Sequence, residues 1–147
     1  MLLKKYVLLG LIFISVSAVA GNIDYQVNDE SYQGYFVSTA QNAPLILLIH
    51  DWDGLTDYEI KRANMLAEEG YAVFAADLFG KGVRPTEDKD KKQHTGELYQ
   101  DRQKMRQLVK GALDKAAELG ANRQQTVVIG YCFGGAAALE MARSGVD

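Results

Sequence analysis

Apolar residues run unbroken over residues 45–49 and dominate residues 71–77 and 125–131. Such runs suit strands covered on both faces, and therefore a parallel sheet. Residues 23–27 and 32–38 instead alternate apolar and polar positions around Asn28-Asp29-Glu30. That pattern predicts an antiparallel hairpin closed by a tight turn. Thr56, with Glu59 three positions on, forms a capping box and predicts a helix running to about Glu69 and stopped by Gly70. Leu98, Met105, Leu108, Val109, Ala112, Ala116 and Leu119 recur at helical spacing, which predicts one long amphipathic helix ending at Gly120. Residues 78–93, rich in glycine and charge, read as a loop, and the mixed-sign stretch over residues 87–92 as solvated. A third helix is expected over residues 134–143. Strands alternate with helices, so the fold class is α/β with right-handed crossovers, in one domain without repeats.

The first twenty residues carry a different pattern. Lys4 and Lys5 precede an apolar run over residues 6–16, and Ala18-Val19-Ala20 supplies a small-x-small cleavage signal. Residues 1–20 therefore read as a secretory signal peptide, and the mature protein is expected to be exported, periplasmic or secreted. The apolar run is short for a membrane span, which leaves an uncleaved anchor as the rival reading. Net charge is -3 and the isoelectric point about 5.4, so no nucleic acid and, after signal cleavage, no membrane is implied as a partner. A monomer is expected. With one cysteine in the chain no internal disulfide can form. A lone free thiol is unusual in an oxidising compartment, which favours a functional role for it.

That cysteine occupies the most informative position in the chain. The β-branched run Val127-Val128-Ile129 stops at Gly130, Cys132 stands at the apex, and Phe133-Gly134-Gly135 leads into an alanine-rich helix. This is the strand, sharp turn and helix of a nucleophile elbow, with cysteine in place of serine. The apex residue is forced into a strained backbone, and Gly130 and Gly134 remove side chains that would collide with it or with the helix. Helix N–H groups and the helix dipole aimed at the sulfur are expected to favour a thiolate and to stabilise an oxyanion. The competing readings are a small buried hydrophobe and a plain tight turn or weak nucleotide loop. The spacing does not fit G-x-G-x-x-G. No H-x-x-x-H or C-x-x-C spacing and no Walker loop is present, so no metal or organic cofactor is implied.

Three motifs in order now support a resemblance. They are residues 48–55 (Leu-Ile-His-Asp-Trp-Asp-Gly-Leu), residues 76–85 (Ala-Asp-Leu-Phe-Gly-Lys-Gly-Val-Arg-Pro) and residues 130–135 (Gly-Tyr-Cys-Phe-Gly-Gly). Over residues 32–143 the chain resembles the dienelactone hydrolase family of α/β-hydrolases. The resemblance implies a three-layer sandwich with a mostly parallel sheet, of which residues 21–147 would be the N-terminal portion, ending after the elbow helix. It implies that Cys132 is the nucleophile of a Cys-Asp-His triad. The oxyanion hole would use the backbone N–H groups of Trp52 and Phe133. Asp51 would match a family carboxylate, commonly glutamate, that contacts the resting thiol, and either Lys81 or Arg84 a basic contact to an anionic substrate. The substrate would be a small ester, lactone or thioester, cleaved through an acyl-cysteine.

In this fold the catalytic histidine follows the nucleophile, whereas His50 and His94 both precede Cys132. The triad acid and histidine are therefore expected beyond Asp147, and the 147-residue chain is expected to be nearly inactive. His50 is read as shaping the oxyanion loop, His94 as solvated, Asp77 as a turn cap. The alternative function is a non-catalytic binding module or inactive product with a structural or redox-sensitive thiol.

Overall fold

A computed structural model describes residues 19–145. The elements are β1 (Val19–Val27), β2 (Glu30–Ser38), β3 (Pro44–Ile49), α1 (Asp57–Glu68), β4 (Ala72–Ala76), α2 (Asp88–Gln100), α3 (Arg102–Glu118), β5 (Asn122–Gly130) and α4 (Phe133–Ser144). The body of the predicted signal peptide, residues 1–18, lies outside the described residues, while Val19 and Ala20 already pair with Ser38 and Val37 in the hairpin. Asn28 and Asp29 both take left-handed backbone, with φ of 50° and 65°. Two such residues form the type I′ turn whose twist matches the flanking strands.

The sheet order is β1-β2-β4-β3-β5. The hairpin is antiparallel and joins β4 antiparallel through β2, whereas β4, β3 and β5 run parallel. The continuous apolar run of β3 has the cause its pattern predicts. Leu45, Leu47 and Ile49 face a core shared with α3 and α4, while Ile46 and Leu48 face a second core beneath α1. Helices therefore cover both faces and make three layers. Glu140 of α4 accepts hydrogen bonds from Arg102 and Arg106 of α3 and ties those helices together. No described helix is long and apolar enough to cross a membrane.

Two expectations fail. The single long helix is two helices, and the first starts inside the predicted loop. Asp101 leaves the helical region (φ -107°, ψ 78°), and its carboxylate accepts from Lys104 N–H to cap α3. Leu98 and Met105 stand one heptad apart, so the apolar pattern runs across the break unmarked. Within α2 only Thr95 and Leu98 are buried, too little apolar signal to outweigh its charges. The second failure is β5, which is not doubly buried. Among the described residues it pairs only with β3, and Val127 is 57% exposed.

Candidate active site

Cys132 sits between β5 and α4 with φ 48° and ψ -106°, a conformation that costs a non-glycine residue of order 1–3 kcal/mol. The neighbouring glycines are required by geometry. A Cβ on Gly130 would stand 2.3 Å from the Gly134 carbonyl carbon. One on Gly134 would stand 2.4 Å from the Ile49 carbonyl oxygen and 2.6 Å from that of His50. Gly130 thus lets the turn close, while Gly134 lets α4 lie against the end of β3. The role of Gly134 is therefore wider than the clearance around the nucleophile expected of it.

β3 and β4 end beside this turn, and His50 joins their loops. It is fully buried, with Nδ1 2.6 Å from the Asp51 carbonyl oxygen and Nε2 accepting from Leu78 N–H at 3.1 Å. That pattern requires the neutral tautomer with hydrogen on Nδ1, and burial holds its pKa below the ordinary value. Both ring nitrogens are occupied, so His50 shapes the loop and cannot act as a base. Asp77, also fully buried, accepts from Phe79 N–H and Gly80 N–H at 3.1 Å each and from Gln33 N–H at 3.1 Å. His94 departs from its expected place in solvent. It lies within α2 and stacks on Phe79 with ring centroids 5.2 Å apart.

The loop after β3 brings Asp51 and Trp52 to the cysteine. Asp51 Oδ1 accepts from Trp52 N–H at 2.6 Å, so this predicted oxyanion donor is occupied by the neighbouring carboxylate. The same carboxylate acts on the thiol. A hydrogen bond to Asp51, then desolvation and the Asp51 charge, push the Cys132 thiol above its ordinary value, against a smaller pull from Phe133 N–H. This reverses the expected thiolate. The negative charge of Asp51 opposes the partial positive charge of the helix end at an exposed sulfur.

Lys81 and Arg84, the predicted anion contacts, are engaged elsewhere. Lys81 forms an ion pair with Asp24 on β1. Arg84 donates from Nη1 to the Val83 carbonyl at 2.6 Å and lies 3.6 Å from Asp77. Three tyrosines that sequence reasoning misses stand at the site. Tyr99 of α2 packs edge-on against Phe133 at 5.6 Å, and its pKa is raised by burial and then by the nearby Cys132 and Asp51. Tyr131 and Tyr58 meet edge-to-face at 5.4 Å, and Arg62 Nε donates to Tyr131 Oη at 3.0 Å. The signal for Tyr131 is its place beside the cysteine in sequence. Tyr58 and Tyr99 carry no local signal, because only the packing of α1 and α2 brings them in.

A cleft of about 340 Å³ opens here, lined by Asp51, Asp53, Thr56, Tyr58, Glu59 and Tyr131. A larger groove of about 400 Å³ lies between α3, β5 and α4, toward the other end of β5, and holds no nucleophile. Among the described residues no cluster of three His, Cys, Asp or Glu side chains could hold a metal ion.

A cysteine elbow at the end of parallel strands, with helices on both sheet faces, places the chain in the α/β-hydrolase class. Within that class it belongs to the dienelactone hydrolase family, whose model matches residues 32–147. Two solved structures are similar at TM-scores above 0.8. The protein m3DLH is 31% identical with a TM-score of 0.83, over 88% of this chain and 55% of that one. A dienelactone hydrolase-like promiscuous phosphotriesterase from metagenomic libraries is 29% identical with a TM-score of 0.81, over the same shares of the two chains, 88% and 55%. The dienelactone hydrolase of Anabaena variabilis shares the fold, with a TM-score of 0.63 at 20% identity, over 87% of this chain and 58% of that one. No curated protein matches the chain. The chain thus spans just over half the length of these solved relatives.

Proposed function

We propose that this protein is a cysteine hydrolase that cleaves a small ester, lactone or thioester through an acyl-cysteine. The observation carrying this reading is the elbow itself. Cys132 holds left-handed backbone at the apex, and Gly130 and Gly134 admit no Cβ, so the turn closes tightly with the sulfur exposed above it. In the reaction the sulfur attacks the carbonyl carbon, the carbonyl electrons move to oxygen, and Phe133 N–H with Trp52 N–H receive that oxyanion. For Trp52 to take part, Asp51 must release its N–H. The thiol gives up its proton as the sulfur attacks, collapse expels the alkoxide or thiolate, which takes that proton up, and water later adds to the thioester carbonyl, releasing the acid and restoring the thiol. Both ring nitrogens of His50 are occupied, and in this reading the triad histidine and acid come from outside the described residues.

Acyl trapping tests this. After brief exposure to p-nitrophenyl acetate and acid quenching, mass spectrometry should find an acetyl group on Cys132, and Cys132→Ala should carry none. Acetylation equal in the variant would overturn the reading. The raised thiol pKa supports a second reading, a binding module whose thiol is protonated and structural. In that case Cys132 resists acylation while ligands still bind.

A further inference from the structure

We infer that Arg62 is a positioning residue for the nucleophile, holding the turn at Cys132 through the Tyr131 hydroxyl. This rests on the nucleophilic role proposed for Cys132 and adds what keeps its sulfur aimed. Left-handed backbone at a non-glycine residue persists only where its surroundings fix it. After the apex, backbone bonds do so. Gly134 N–H donates to the Tyr131 carbonyl at 2.8 Å, and Ala136 N–H to the Cys132 carbonyl at 3.2 Å. Before the apex, β5 ends at Gly130, which has no side chain to offer. Tyr131 is therefore the one side chain between strand and nucleophile, and it packs against the core beneath α1.

α1 gives Tyr131 a fixed partner. The capping box secures its first turn, Ala63 and Ala67 are buried in that same core, and Asn64 Oδ1 accepts from the Tyr35 hydroxyl of β2 at 3.1 Å. From this platform Arg62 Nε donates to Tyr131 Oη at 3.0 Å, while the Tyr58 ring meets the Tyr131 ring edge-to-face at 5.4 Å. Among the described residues Arg62 joins no ion pair, so its charge strengthens the bond to the hydroxyl. Without that bond Tyr131 is free to swing and Cys132 to relax, which shifts the sulfur relative to the Phe133 N–H. A misplacement of about 1 Å between reacting groups costs up to about a hundredfold in rate.

Two reagents, each followed by mass spectrometry at Cys132, separate aim from reactivity. Acetylation by p-nitrophenyl acetate forms the thioester, releases p-nitrophenol and needs the carbonyl oxygen at the Phe133 N–H. Methyl methanethiosulfonate gives the methyl disulfide and methanesulfinate, and needs only the sulfur. The thiolate fraction enters both rates, so their ratio, acetylation over disulfide formation, reports alignment. In Tyr131→Phe and in Arg62→Leu this ratio should fall about tenfold, with the thermal unfolding midpoint within about 4 °C of wild type. The double variant should fall no further, because the two residues act as one unit. A ratio unchanged in Tyr131→Phe, or a double variant that falls by the product of the single losses, overturns the positioning role alone. A wild-type Cys132 that takes the methyl disulfide but no acetyl group overturns the nucleophile reading, and this inference with it.

Discussion

Asp51 shows how one side chain can set the resting state of a site. Its carboxylate occupies the Trp52 N–H and pushes the Cys132 thiol pKa upward, two effects that oppose the proposed attack by sulfur. The sign of its effect can be measured. A carboxylate in contact stabilises S–H and repels S⁻, so replacing it with a neutral amide should lower the thiol pKa, leaving Phe133 N–H and the helix end to favour the thiolate. In Asp51→Asn the pH profile of iodoacetamide alkylation should therefore shift to lower pH. A profile that stays put would mean the carboxylate does not govern the thiol. At Gly134 the constraint is steric. Gly134→Ala would drive a Cβ into the backbone of β3, which cannot yield as a flexible side chain would. Urea denaturation should show a loss of about 3 kcal/mol or more.

At the scale of elements, His50 acts as the clasp between the loops after β3 and β4. His50→Ala leaves Leu78 N–H without its buried partner and opens a cavity, with an expected loss of about 2–4 kcal/mol in denaturant titrations. Because burial lowers its pKa in the folded protein, the unfolded chain takes up the proton first. The contribution of His50 is thus present above the ordinary value of 6.5 and is lost as pH falls below it. Wild type should lose stability on acidification from pH 7 to 5, and His50→Gln should lose less over that interval. The break between α2 and α3 has a simpler test. Asp101→Ala removes the carboxylate that caps α3 and should cost about 1 kcal/mol in thermal unfolding.

Over the whole molecule the sheet is asymmetric. Among the described residues the sheet ends on one side at β1, whose exposed positions from Asn22 onward are polar, and on the other at β5, which presents Val127 and a groove of mixed lining between α3 and α4. An unpaired edge strand that exposes an apolar side chain favours pairing with other chains. Light scattering on the 147-residue chain should show concentration-dependent association, reduced in Val127→Lys. Scattering unchanged by that substitution would place the association elsewhere.

What the sequence by itself determined follows from local physics. The period of apolar residues, the tight turn at Asn28-Asp29, the Thr56–Glu59 capping box and the cysteine elbow each depend on a few adjacent residues, so all are legible in the chain alone. Only tertiary structure decided the rest. The end of a helix at Asp101 depended on a cap that the heptad spacing concealed, and the exposure of β5 on which strands lie beside it. The site depended most on folding. Asp51 reached both the thiol and the Trp52 N–H, Tyr58 and Tyr99 arrived from helices remote in sequence, and Lys81 and Arg84 found partners away from the cleft. Charge and hydrogen bonding act across space, so the balance that raises the Cys132 thiol pKa depends on which groups the fold sets beside the sulfur.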